Sequence, residues 1–136
     1  MVLVDTNVLI DILTDDPQWR VWSEEQLLVA AATDELAINP VIYAELSAAY
    51  RTESDLERAI KNFNLHRLPL PYGAAFSAGH AFLAYRSKHA GPKRSPLPDF
   101  YIGAHAAQQG FKLLTRDAAR YRTYFPRLIL ISPESI

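Results

Sequence analysis

Two apolar runs, Val2-Leu3-Val4 near the start and Leu128-Ile129-Leu130-Ile131 near the end, do not alternate with polar residues. A strand with one face in water alternates, so unbroken runs this short imply strands covered on both faces. Strand-like apolar segments fall at residues 1–4, 36–38, 66–68, 112–115 and 128–131, with helical patterns between most of them. That alternation belongs to a parallel sheet packed between helices. The expected fold class is α/β, a three-layer α/β/α sandwich with a central, mainly parallel sheet.

The helical patterns cover residues 7–13, 18–33, 41–50, 55–64, 74–89, 99–109 and 117–124. Pro17 and Pro40 suit first helical turns, Gly110 suits a C-terminal cap, and Pro126 ends the last helix. The segment Ala90-Gly91-Pro92-Lys93-Arg94-Ser95-Pro96-Leu97-Pro98 is read as an irregular basic loop that delivers the chain to Asp99. No internal repeat or linker divides the chain, so residues 1–136 are read as a single domain.

The chain has no cysteine, which rules out disulfides and thiolate metal ligands and leaves oxygen and imidazole as donors. No apolar stretch approaches the roughly 18 residues of a membrane helix, and the chain enters its first strand without a basic segment or cleavage pattern. The expectation is a cytoplasmic protein with no membrane association. The net charge of -1 hides an asymmetry: residues 1–60 hold 12 acids against three arginines, and residues 61–136 hold 11 basic residues against three acids. Basic surroundings around a few placed acids suit a polyanionic substrate, although folding can equally interleave the two halves and cancel the charge.

Four acids stand out. Asp5 closes the first apolar run and Asp117 follows a late one, so both occupy strand-to-helix junctions, where ligands bind in parallel α/β sheets. Asp99 begins a helix whose row Asp99, Ile102, Gly103, Ala106 and Ala107 is small enough to pack closely on the sheet. Glu45 shares a helix face with Val41, Ile42, Ala48 and Ala49, where an acid is costly to desolvate without a positive partner. Aspartate is also a favoured helix N-cap, and Glu45 could reach solvent at the edge of its face. Gathered in one pocket, however, four carboxylates repel one another unless some protonate or a divalent cation joins them, and hard Mg²⁺ or Mn²⁺ suits such a donor set.

Asp5-Thr6-Asn7, Glu45-Leu46, Pro98-Asp99 followed by Ile102-Gly103-Ala104, and Thr115-Arg116-Asp117 together resemble the PIN-domain nucleases, most closely the VapC-type toxins of toxin–antitoxin pairs. The resemblance runs through nearly the whole chain in order. It implies a PIN-like sandwich and a Mg²⁺- or Mn²⁺-dependent endoribonuclease that cleaves phosphodiesters with a metal-activated water. On this resemblance Asp5, Glu45, Asp99 and Asp117 are the catalytic, metal-holding acids, and Thr6, Asn7 and Thr115 orient ligands or waters. It also implies an RNA substrate, a cognate antitoxin protein as partner, and a homodimer.

Lys88, Lys93, Arg94, Arg116, Arg120 and Arg122 lie near Asp99 or Asp117 in sequence and are candidate phosphate contacts, with a plain solvated basic face as the alternative. Tyr101, Tyr121, Tyr124 and Phe125 are read as core in preference to base-stacking groups. Trp19 and Trp22, on one helix face, fit either core or a partner groove. The four histidines are scattered without ligand spacing and receive no role. A haloacid-dehalogenase-type phosphatase is disfavoured because Asn7 stands where its second aspartate belongs. A catalytically silent interaction module on the same fold is the remaining alternative.

Overall fold

The structure, a computed structural model, describes residues 1–88 and 97–133. Five short strands, β1 (Val2–Val4), β2 (Leu36–Ile38), β3 (His66–Arg67), β4 (Lys112–Leu114) and β5 (Ile129–Ile131), form one sheet in the order β3-β2-β1-β4-β5. Every pairing is parallel, so the expected mainly parallel sheet is parallel throughout. Val2, Leu3 and Val4 are all buried, as are Leu36, Ala37 and Ile38, in keeping with central strands covered on both faces.

The helices are α1 (Thr6–Leu13), α2 (Arg20–Thr33), α3 (Pro40–Ser47), α4 (Glu53–Ile60), α5 (Tyr72–Lys88), α6 (Leu97–Gln109) and α7 (Ala119–Tyr124). Their starts follow local chemistry. Asn39 caps α3 by accepting from the Ile42 amide at 3.0 Å with Pro40 in the first turn, and Thr52 caps α4 through the Asp55 amide at 3.1 Å. Gly110 follows α6 at φ 71, a backbone conformation open to glycine without penalty. Every helix starts within one or two residues of expectation, and two of these shifts bear on the acids. α6 begins at Leu97, so Asp99 stands in its first turn, and α7 begins only at Ala119, leaving Asp117 exposed in the preceding turn.

The main core joins β1, β2 and β4 to α1, α2, α3, α4 and α6, with Leu3, Leu9, Ile42, Leu46, Leu56, Ile102 and Leu113 at its centre. A second cluster under α5 gathers Ala74, Ala78, Phe100 and Ala104, with the Phe100 ring 5.3 Å from Tyr124 and 5.5 Å from Tyr85. This cluster fixes α6 and α7 beside the carboxyl ends of β1 and β4. Among the described residues, no helix is long and apolar enough to cross a membrane.

Candidate functional site

The register Val4↔Leu114 makes Asp5 and Thr115 neighbours just beyond the ends of two adjacent central strands. Asp5 is 4% exposed and keeps both carboxylate oxygens engaged. Its Oδ1 accepts from the Thr6 amide at 2.8 Å, so the N-cap role anticipated for an aspartate here is real. Its Oδ2 accepts from the Thr115 hydroxyl at 2.8 Å and the Tyr121 hydroxyl at 2.9 Å. Asn7 supports this arrangement through Nδ2, 3.2 Å from Thr115 Oγ1, and its Oδ1 accepts from the Arg116 amide at 3.3 Å. Thr115 Oγ1 also receives the Asp117 amide at 3.1 Å. Thr6, Asn7 and Thr115 are thus joined by hydrogen bonds around the Asp5 carboxylate.

Glu45 projects from α3 to accept the Thr6 hydroxyl at 2.5 Å. Asp99, from the first turn of α6, accepts from Arg120 Nη1 at 2.5 Å. The acids feel one another. Burial, reinforced by the Asp99 charge, pushes the Asp5 carboxyl up to about 7 despite its hydrogen bonds to Thr115, Tyr121 and Thr6. Glu45 is raised mainly by desolvation, with Asp99 adding to the shift and the Thr6 hydroxyl opposing it. Asp99 itself is raised by desolvation and by Asp117, against the pull of Arg120 and a hydrogen-bonding contribution from Tyr121. Asp99 thus couples electrostatically to each of the other three acids.

The four acids approach one region, but among the described residues no group of three or more acids is arranged to hold a metal ion. The physical reasons are visible. Both oxygens of Asp5 are turned onto neutral donors, Asp99 is drawn to the Arg120 guanidinium, and Asp117 sits in solvent on its turn. The donor set nevertheless fits a hard divalent cation. It is all oxygen, and the raised carboxyls record mutual repulsion and desolvation that a cation would relieve.

The basic candidates divide. Arg120 is in the pocket, on Asp99, with its guanidinium 5.7 Å from the Tyr85 ring centroid. Arg116 turns away: its Nε donates to buried Asp11 at 2.8 Å, where the Ser23 hydroxyl also donates at 2.7 Å, and its guanidinium lies 5.5 Å from the Trp19 ring centroid. Arg122 donates to the Ser132 hydroxyl at 3.4 Å, and Lys88 is exposed at the end of α5. Lys93 and Arg94 lie outside the described residues. Trp19 and Trp22 pack edge to face, 6.0 Å apart, at the start of α2.

Sequence reasoning placed Tyr121 in the core, and it is 2% exposed, yet it also belongs to the site through its hydroxyl. Nothing in the local pattern separated it from Tyr124, three residues on in the same helix. The one available signal was a phenol at helical spacing after Asp117, where phenylalanine would have filled the same space.

The PIN domain family profile matches residues 2–126. The chain belongs to the PIN-domain family. Similar solved structures share the fold of this PIN domain. The VapBC2 structure from Rickettsia felis, bound to a DNA fragment from its promoter, has 18% identity and a TM-score of 0.72, covering 98% of this chain and 100% of that one. FitAcB from Neisseria gonorrhoeae, at 22% identity and a TM-score of 0.66, covers 100% of both chains. VapBC-1 from nontypeable Haemophilus influenzae, at 18% identity and a TM-score of 0.69, covers 97% of this chain and 98% of that one. No curated protein matches the sequence.

Proposed function

We propose that this PIN domain is a divalent-metal-dependent endoribonuclease and the toxin of a toxin–antitoxin pair, with RNA phosphodiesters as substrate. The observation that carries the reading is the buried Asp5 carboxyl, raised to about 7 beside Asp99, with Glu45 and Asp117 coupled to Asp99 in turn. Perturbed carboxyls at the carboxyl end of a parallel sheet mark a site where charge is brought in by a ligand.

Asp5, Glu45, Asp99 and Asp117 would hold Mg²⁺ or Mn²⁺, directly or through water. When bound, such a cation lowers the pKa of water and offsets charge on the leaving oxygen of a phosphodiester. The protein's part is orientation. Thr115 and Thr6 fix the Asp5 carboxylate, the Thr6 side chain also holds Glu45, and Asn7 ties the β4 end to the start of α1. Arg120 is positioned to exchange Asp99 for a substrate phosphate, and Lys88, Arg122, Lys93 and Arg94 are further candidates for backbone contact on either side of the cut. Arg116, committed to Asp11, is a weaker candidate than its sequence position suggested.

An antitoxin partner is supported by the neighbouring folds, which come from VapBC and FitAB assemblies and from a Klebsiella pneumoniae toxin–antitoxin complex. A homodimer and a cytoplasmic site of action belong to the same reading. The deciding experiment combines Mn²⁺ titration with RNA cleavage for the wild type, Asp5→Asn and Asp99→Asn. Metal binding and turnover that fall together in both variants support the nuclease; a wild type that neither binds Mn²⁺ nor cleaves RNA points instead to a silent interaction module. Growth on expression, with and without the neighbouring gene, tests the toxin assignment.

A further inference from the structure

We infer that Tyr121 is a positioning residue of the acidic site, its phenolic hydroxyl setting the Asp5 carboxylate in the orientation from which Asp5 and Asp99 serve a common cation. The inference rests on the metal-nuclease reading above and adds a residue to it. Its basis is geometric. Tyr121 is 2% exposed, and its hydroxyl donates to Asp5 Oδ2 at 2.9 Å, beside the Thr115 hydroxyl on the same oxygen. With Oδ1 held by the Thr6 amide, the plane of the carboxylate is fixed from three separate segments: the start of α1, the end of β4 and α7. Two short donors on Oδ2, a longer one from Asn7 Nδ2 at 3.5 Å on the same oxygen, and one on Oδ1 leave little freedom to rotate.

The ring is seated for this purpose by a close approach to α6. A Cβ built on Gly103 would stand 2.6 Å from Cδ2 and Cε2 of Phe125 and 3.0 Å from Cδ1 of Tyr121. Gly103 and Asp99 are four residues apart on α6, so the helix row that carries the acid is also the row against which the tyrosine lies. The glycine thereby lets the phenol ring lie against the row of α6 that also carries Asp99. A phenol has one proton to give, and in this structure Asp5 receives it.

A packing role alone would not call for the hydroxyl. Phenylalanine would occupy the same space beside Gly103 and would bury no polar atom. A phenol ionises only near pH ~10, so at neutral pH the hydroxyl is a donor and adds no negative charge to the pocket. A neutral, permanent donor is the group that can orient a carboxylate without competing for the cation.

The test is Tyr121→Phe, which removes one oxygen and keeps the ring. The expected result is a folded protein whose Mn²⁺ affinity, measured by calorimetric titration, falls about 10- to 100-fold, as for loss of an outer partner of a metal ligand. In RNA cleavage at fixed Mn²⁺, kcat falls while KM for RNA is unchanged. Gly103→Ala, which displaces the ring and keeps the hydroxyl, lowers Mn²⁺ affinity in the same direction. A folded Tyr121→Phe with Mn²⁺ affinity within twofold of the wild type overturns the positioning role while leaving the nuclease reading intact. Failure of the wild type itself to bind Mn²⁺ overturns both.

Discussion

Arg120 reaches from α7 to Asp99 across 21 residues and closes an ion pair at 2.5 Å inside the acidic pocket. The side chains are 33% and 31% exposed, so water screens the pair and its worth to stability is about 1 kcal/mol or less. Its larger consequence is competition, because a guanidinium and a cation would seek the same carboxylate. Arg120→Gln is expected to lower the thermal stability of the metal-free protein slightly and to raise Mn²⁺ affinity by several-fold. Melting curves with and without Mn²⁺ check this, and an unchanged metal-induced shift would count against competition.

The metal-free protein should lose stability as pH rises through the neutral range. Asp5 ionises near its ordinary 3.8 in the unfolded chain but near 7 when folded. Between those values the folded state binds more protons than the unfolded one, so the stability associated with a protonated Asp5 is present at low pH and is lost as pH climbs toward 7. Glu45 and Asp99 are shifted in the same direction. Urea unfolding in chelator should give a free energy lower at pH 8 than at pH 5.5 by an amount on the order of a few kcal/mol. On the proposed metal site, Mn²⁺ would bind the ionised carboxylates and should flatten that slope. A stability that rises with pH in chelator would contradict the raised carboxyls.

Removing the Thr6 hydroxyl isolates Glu45. Thr6→Val keeps the shape of the side chain but withdraws the 2.5 Å donor that holds Glu45 against its desolvation. The expected loss is about 1 kcal/mol of stability and roughly tenfold in Mn²⁺ affinity. Denaturant titration and calorimetry separate the two effects. Equal metal affinity in the variant would mean that Glu45 needs no support from Thr6.

Asp11 and Arg116 should govern stability in preference to chemistry. Asp11 is 1% exposed and accepts from Arg116 and Ser23, so Asp11→Asn strands part of a buried ionic arrangement that ties α1, α2 and the turn after β4 together. The expected destabilisation is about 3 kcal/mol. RNA cleavage by the fraction that remains folded should be close to that of the wild type. A large fall in turnover without a fall in unfolding free energy would reassign Arg116 to the substrate.

Much of this architecture is legible from apolar runs, because buried parallel strands need unbroken hydrophobic stretches and β1 and β2 are buried along their whole length. The equally unbroken run at β5, by contrast, lies at the sheet edge with Ile129 exposed, not covered on both faces as expected. Asp5 was legible from the β1 run, standing where it stops. Glu45 was harder: its distinction from a solvent-reaching glutamate is the Thr6 hydroxyl, a contact across 39 residues that only the fold creates. Arg120 was named only as a phosphate contact and Tyr121 only as core; the Asp99 and Asp5 contacts they make depend on where the short α7 docks against Gly103 and Phe100 of α6. The charge asymmetry proved partly structural, since Arg67 pairs with Glu57 and Arg116 with Asp11, each joining the basic half to the acidic one.

The central position of β1, with β2 on one side and β4 on the other, imposes an order on synthesis. A ribosome releases Asp5 and Glu45 well before residues 115 to 121, so Asp5 lacks its Thr115 and Tyr121 donors until those residues have emerged and β4 has slotted in beside β1. A half-made polypeptide therefore carries no assembled pocket. Whatever this site does, it needs β4 and α7 docked beside β1, because Thr115 and Tyr121 bring the donors that complete the Asp5 end.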